Sequence, residues 1–388
     1  MIFHRTGTKK RLFCPGPTPV PIKAQLAAIE DYPYHRTEEF YSIFKNSRKI
    51  LAKFINSPID PLILSSSGTG AMEAAVVNLT SQGDHVLTVN GGKFGERWAH
   101  ITRAFGCEAQ ELVVPWGQGP EPEEISRCLE RQPGTRAVFL QANETSTGVA
   151  YRIADIAKMI RTEHPEVLII VDAISALGAE PLDQQAWGLD VVLSGSQKGA
   201  GIPPGLSFIS LSQRAWDSVT DRPRYYFDLK KELKQQESGK SAFTPAISLV
   251  VALQHVLTEY DKAGITEVIR SCQHMGEAVR AGFQAINLEL FAKDSFSNAL
   301  TAVKLPESVD GHKLVRDLRQ NYQMTFAGGQ DSMSGKLLRM AHFGFADPAD
   351  LAAGFLALEQ ELIQLKHPFS PGAGASAFWT RLCSDPLS

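Results

Sequence analysis

The sequence lacks the marks of several large protein classes. Its five cysteines (Cys14, Cys107, Cys128, Cys272 and Cys383) are odd in number, widely spread and form no C-x-x-C pair, which argues against both a disulfide framework and a zinc site. They indicate a reducing compartment, and no metal is expected. No apolar run is long enough to span a bilayer, and the basic residues His4, Arg5, Lys9, Lys10 and Arg11 precede no apolar segment of signal-peptide length. Neither sign of charge dominates: 39 Lys and Arg against 42 Asp and Glu leave a formal net charge of −3, with no pull towards nucleic acid or an anionic membrane. The final Asp385-Pro-Leu-Ser388 is not a peroxisomal address. A cytoplasmic protein acting on small molecules is expected, with neither nucleic acid nor membrane as partner. The 388 residues, 43% of them hydrophobic, suffice for one large domain or two with real cores.

The chain is organised around Asp190-Val-Val-Leu-Ser-Gly-Ser-Gln-Lys-Gly199, a strand-like apolar run that stops in small polar residues and a single lysine, Lys198. The glycines and prolines from Gly199 to Gly205 are too broken to be a helix. A loop lysine is ordinarily solvated. An amine just past the end of a buried strand, however, loses hydration, drops its pKa and becomes a nucleophile towards aldehydes. Upstream, Val167-Leu-Ile-Ile-Val-Asp-Ala173 is a second buried-strand run ending on a carboxylate, Asp172, where open α/β sheets bind ligands. An amine and a carboxylate at two strand ends suggest pyridoxal phosphate, which needs a Schiff-base lysine and an acidic partner for its pyridine nitrogen.

The remaining stretches fit that pair. Residues 12–22 hold four prolines and form a stiff extended arm. Thr37 can cap a helix from about Glu38 to Ile55, with His35 and Arg36 as surface residues before it. In Ile63 to Leu79 a short strand enters a Ser/Gly/Thr turn and a helix with apolar residues at 72, 75, 76 and 79 leaves it; free amides there, with the hydroxyls of Ser67 and Thr69, make a phosphate cup. Taken alone this is also the pattern of an ordinary capped helix. Asp84–Asn90 and Ala137–Asn143 read as strands, each followed by a polar turn and a helix, and Phe94 lies among glycines that would let its ring stack on a cofactor or simply join the core. Strand, turn and helix recur from 60 to 200, which implies a largely parallel sheet with helices on both faces. Leu206–Ser212 follows too closely for a helical crossover and is expected to run antiparallel. The charged stretch 221–241 reads as a solvated excursion, and Thr244 with Pro245 as the start of a helix to about Lys262. Strands near 298–305, 324 and 337, with helices near 310–321 and 348–365, suggest a small α+β domain. The expected division is an arm over 1–22, a large domain over 23–262 and a small domain with its tail over 263–388.

Four motifs in order, Pro15-Gly-Pro17, Ser67-Gly-Thr-Gly-Ala-Met-Glu73, Val171-Asp172 and Ser194-Gly-Ser-Gln-Lys198, resemble those of the class V (fold type I) aminotransferases. The resemblance spans about residues 12–366. It is to the alanine–glyoxylate and serine–glyoxylate or serine–pyruvate branch, and to soluble hydrogenase small subunits. It implies the pyridoxal phosphate transferase fold and transfer of an amino group from alanine or serine to glyoxylate or pyruvate. By the same resemblance, Lys198 holds the cofactor aldehyde and shuttles the proton, while Asp172 keeps the pyridine nitrogen protonated. Ser67, Gly68 and Thr69 cup the phosphate, Gln197 lies beside the phenolic oxygen or phosphate, Phe94 stacks on the ring, and Ser146 is its hydroxyl neighbour. Thr244 reaches the phosphate of the other subunit of a homodimer, and Arg339, with Gly16, faces the substrate carboxylate. The chain departs from the family where Phe94 replaces a frequent tryptophan and Thr69 a frequent histidine, and Ser241 stands near where some members place a tyrosine. A desulfurase would need a reactive cysteine in 310–345, and none is present. The other readings are a non-catalytic hydrogenase-associated subunit, and an aminotransferase with another donor such as an aminophosphonate.

Overall fold

Apolar runs buried on both faces fix the centre of the molecule, because a parallel sheet must be covered by helices on both sides. In the computed structural model, which describes residues 9–384, seven strands form that sheet. They are β1 (Leu62–Leu64), β2 (His85–Asn90), β3 (Glu108–Val113), β4 (Ala137–Gln141), β5 (Leu168–Asp172), β6 (Val191–Gly195) and β7 (Ser207–Leu211). Residues 1–8 of the expected arm and 385–388 of the expected tail lie outside the described residues. The spatial order is β1-β7-β6-β5-β4-β2-β3. Only β7 runs against its neighbours, Ser207 facing both Gly195 of β6 and Leu64 of β1, as the short connection from Lys198 requires.

Alternation along each strand feeds two cores. Val138 and Leu140 of β4 and Ile169 and Val171 of β5 join Leu253, Val256 and Leu257 of helix Ile247–Ala263 on one face. On the other, Ala137, Phe139, Leu168 and Ile170 meet Met72 and Val76 of helix Gly68–Leu79 and the fully buried Trp98 of helix Lys93–Ala104. Each such large apolar side chain contributes about 1.5–3 kcal/mol on burial. Since β1, β2, β4, β5 and β6 all point the same way, the segments that follow them gather at one edge of the sheet.

Beyond the long helix Ile265–Ala285, a smaller antiparallel sheet contains β8 (Leu300–Lys304), β9 (Ala327–Gly328) and β10 (Leu337–Ala341), with β10 in the middle. Helices Gly311–Tyr322, Pro348–Gln364 and Ala373–Cys383 surround a third core. The N-terminal arm belongs to it: Arg11–Leu12 pairs in parallel with Met324–Thr325, Phe13 sinks into the core, and the Ala341 amide donates to the Phe13 carbonyl at 2.7 Å.

Two local expectations are corrected. The stretch 221–241 is more than a solvated excursion: it contains helix Leu229–Gln236, whose Glu232 and Gln236 are buried. The Gln236 amide accepts from Ile63 N at 3.0 Å and donates to Ile63 O at 2.8 Å, so a side chain completes the hydrogen bonding of the edge strand β1. Thr244 does not cap the next helix, which starts at Ile247 behind Ala246. The Ala246 amide is taken by Ser65 Oγ at 3.1 Å, which holds this segment against the end of β1 and delays the helix.

Candidate active site

Lys198 leaves the end of β6 and is 8% exposed. Its ammonium donates to the Pro15 carbonyl, and its own carbonyl accepts from Thr18 Oγ1 at 2.9 Å, so the arm covers the lysine from outside. The fit is close at Gly16, where an added Cβ would lie 2.6 Å from Lys198 Nζ, so a larger residue would have to displace the lysine side chain. The amine stands 5.8 Å from the centre of the Phe94 ring. Burial brings its pKa down to about 8, the Asp172 carboxylate opposing this and the guanidinium groups of Arg339 and Arg97 assisting it.

Asp172 ends β5 and is 4% exposed. Its Oδ1 accepts the Ile174 amide at 2.7 Å, while Oδ2 has no hydrogen-bond partner among the described residues. Burial pushes its pKa up to about 7, against that amide and the charges of Arg97 and Lys198. In the ligand-free chain the folded state therefore keeps a proton that the unfolded state releases near pH 4, and stability from this group is lost as pH rises from about 4 to about 7. Asp172→Asn should accordingly gain stability relative to the parent across that window, by a few kcal/mol at most, and the gain should level off above it. Thermal melts of both proteins, stripped of cofactor, would show this; a difference that does not vary with pH would contradict the assignment.

The floor of the site is built by a residue that motif reading missed. Glu144 is fully buried after β4. Its carboxylate accepts from Phe94 N (3.1 Å), Gly95 N (3.0 Å), Ser146 N (3.1 Å), Ser146 Oγ (2.5 Å) and Gln141 Nε2 (3.3 Å). It thus caps the first turn of helix Lys93–Ala104 from another segment, and Ser146 Oγ also takes the Lys93 amide at 3.1 Å. The ring of Phe94 is held in position by this carboxylate. Burial raises the pKa of Glu144, with its donors opposing the rise. The sequence signal was present in a glutamate directly after a buried strand, but its partner lies 50 residues earlier.

Gly68 and Thr69 open helix Gly68–Leu79, and Ser67, exposed, provides no side-chain cap. Gln197 presents a buried Oε1 without a partner. Arg339, in β10, is 6% exposed; it donates to Gly328 O at 2.9 Å and Thr145 O at 2.7 Å and has no carboxylate partner among the described residues. Burial lowers its pKa. Leu338 and Met340 on either side point into the third core, so Arg339 faces the loop after β4. Cys14 was also missed; its thiol, 3.4 Å from Thr325 O, feels the charges of both Arg339 and Lys198. The expected residues are brought together with one exception: Thr244 is exposed and makes no hydrogen bond among the described residues.

The model of the family described as aminotransferase class-V matches residues 24–344. The chain belongs to the class V aminotransferases. It is similar to the soluble hydrogenase 42 kDa subunit of Anabaena cylindrica, at 39% identity over 95% of this chain and 97% of that one. It is 30% identical to the serine–glyoxylate aminotransferase of Methylorubrum extorquens over 100% of both chains. Its fold matches a solved aspartate aminotransferase of subgroup IV from Thermus thermophilus with a TM-score of 0.86, at 33% identity over 92% of this chain and 99% of that one. The fold is that of the type I pyridoxal phosphate enzymes, and membership makes this transaminase one that depends on pyridoxal phosphate. The residues present fit that group: a buried amine of lowered pKa, a buried carboxylate with a free oxygen, and an orphaned glutamine amide. Among the described residues no helix is long and apolar enough to cross a membrane.

Proposed function

We propose that the chain passes an amino group between a small L-amino acid, alanine or serine, and a small 2-oxo acid, glyoxylate or pyruvate. The observation that carries this reading is Arg339, a buried guanidinium without a carboxylate partner near the amine of Lys198. A buried cation calls for an anion, and a planar fork suits an α-carboxylate. Gly16 places no side chain between the arm and the amine. Bound pyridoxal phosphate supplies an aldehyde and an electron-withdrawing ring. Lys198, partly neutral near pH 7, holds and moves the proton at its Nζ. Asp172 Oδ2 keeps the ring nitrogen protonated, and Phe94, fixed by Glu144, covers a ring face. Gly68, Thr69 and Gln197 hold the phosphate, Ser67 standing beside them, and Ser146 supports the ring through Glu144.

The similarity to serine–glyoxylate aminotransferase supports the choice of substrates. A panel of amino donors, including an aminophosphonate, against glyoxylate and pyruvate tests it: alanine or serine should lead. Preference for a donor without an α-carboxylate would overturn it. The similarity to a hydrogenase subunit supports a second, accessory role; cofactor colour without transamination of any donor would favour that role.

A homodimer completes the reading. Ile22, Leu26 and Ile29 expose one face of helix Ile22–Ile29, at 74, 46 and 78%, and the unbonded Thr244 is free to serve a partner's site. Sedimentation should show a dimer, and an active monomer would defeat this part.

A further inference from the structure

One strongly basic side chain beside the site has no partner that accounts for it. Arg97 lies one helical turn after Phe94, and its guanidinium rests 4.9 Å from the centre of that ring. Its NH1 donates to Thr69 Oγ1 at 3.1 Å, the one hydrogen bond found for it among the described residues. By contrast, Arg48 donates to three carbonyls, and Arg161 and Arg214 share the carboxylate of Asp190. A guanidinium carries five N–H donors, so four of those of Arg97 lack an acceptor among the described residues.

The group it touches lies where an anion belongs. Thr69 is the second residue of the twelve-residue helix Gly68–Leu79, and no hydrogen bond from the Gly68 or Thr69 amide occurs among the described residues. Beside them is the orphaned amide of Gln197, whose Oε1 would lie 3.0 Å from a Cβ added at Gly195. Free amides, a hydroxyl and an unpaired guanidinium converge there. The charge of Arg97 reaches further, since it depresses the pKa of both Asp172 and Lys198.

We propose that Arg97 is a phosphate-recognising residue of the cofactor site, its guanidinium supplying, beside Thr69, the charge that a dianionic phosphate at the start of helix Gly68–Leu79 requires. This rests on reading the site as one for pyridoxal phosphate. The stacking on Phe94 restricts the long side chain before the ligand arrives, so less freedom is lost when it binds. It also makes phosphate recognition depend on the helix turn that Glu144 fixes.

Two ligands that differ only in the phosphate separate this role from a structural one. Full-length protein stripped of cofactor is titrated with pyridoxal phosphate and with pyridoxal, following the colour of the bound species, for the parent, Arg97→Met and Arg97→Lys. Arg97→Met should weaken pyridoxal phosphate about ten- to a hundredfold, as for lost charge-assisted hydrogen bonds, and leave pyridoxal unchanged. Arg97→Lys should retain part of the affinity, with a steeper dependence on salt. An equal loss for both ligands in both variants, or no loss for either, overturns the proposal. A parent protein that binds neither ligand would overturn the cofactor reading itself, and Arg97 with it.

Discussion

Transamination by a Lys198→Ala variant is expected to fall by about 10⁴-fold, the upper range for a positioned acid–base group. The size of the effect follows from the surroundings of the amine. It is 8% exposed, and burial together with Arg339 and Arg97 brings its pKa to about 8 although Asp172 opposes them. A neutral amine is therefore accessible near neutral pH, and water has little access to replace it. Lys198→Arg keeps the charge but cannot release its proton, so it should be as inactive as the alanine variant. Single-turnover measurements with alanine or serine isolate the chemical step. Borohydride reduction of the parent should fix a pyridoxyl group on Lys198 alone. Label on another lysine, or turnover within tenfold of the parent in either variant, would remove Lys198 from the centre of the site.

Arg339→Ala should raise KM for amino acid and 2-oxo acid together, with a loss in kcat/KM equivalent to about 2–5 kcal/mol, as when one partner of a buried charge pair is removed. Both substrates carry the same α-carboxylate, so both must suffer. The guanidinium also holds Gly328 O and Thr145 O, and its loss leaves two carbonyls to find other donors. Arg339→Lys controls for that, because it retains a cation in β10 without the fork. Cofactor colour should persist in both variants. A drop in melting temperature with unchanged KM values would make Arg339 a strut between β10 and the loop after β4, and leave the carboxylate anchor elsewhere.

What was legible in the sequence was what local pattern encodes. Strands β4, β5 and β6 are continuous apolar runs ending in Gln141, Asp172 and Gly195, and the antiparallel turn of β7 follows from a connection too short for a crossover. Strand β3, Glu108-Ala-Gln-Glu-Leu-Val113, lies at the sheet edge with one partner and little burial, so it carries no apolar run to read. Helix Ala373–Cys383 was unread because its start is organised by Glu359, whose carboxylate accepts from Gly374 N at 2.8 Å and Ala375 N at 3.1 Å across a loop. The site shows the same division. Lys198 and Asp172 announce themselves at strand ends, whereas Glu144 and Arg97 acquire meaning only when helix Lys93–Ala104 is set beside other segments.

The path of the arm has a consequence for the order of manufacture. Residues 11–18 are made well before their seats, which are Met324, Thr325 and Ala341 on one side and Lys198 on the other. At about 5–20 residues per second, roughly three hundred further residues take some tens of seconds to appear. Throughout that interval Arg11, Leu12 and Phe13 lack their backbone partners from Met324, Thr325 and Ala341. The arm that covers Lys198 is therefore fixed at its outer end only when segments far apart in the sequence meet.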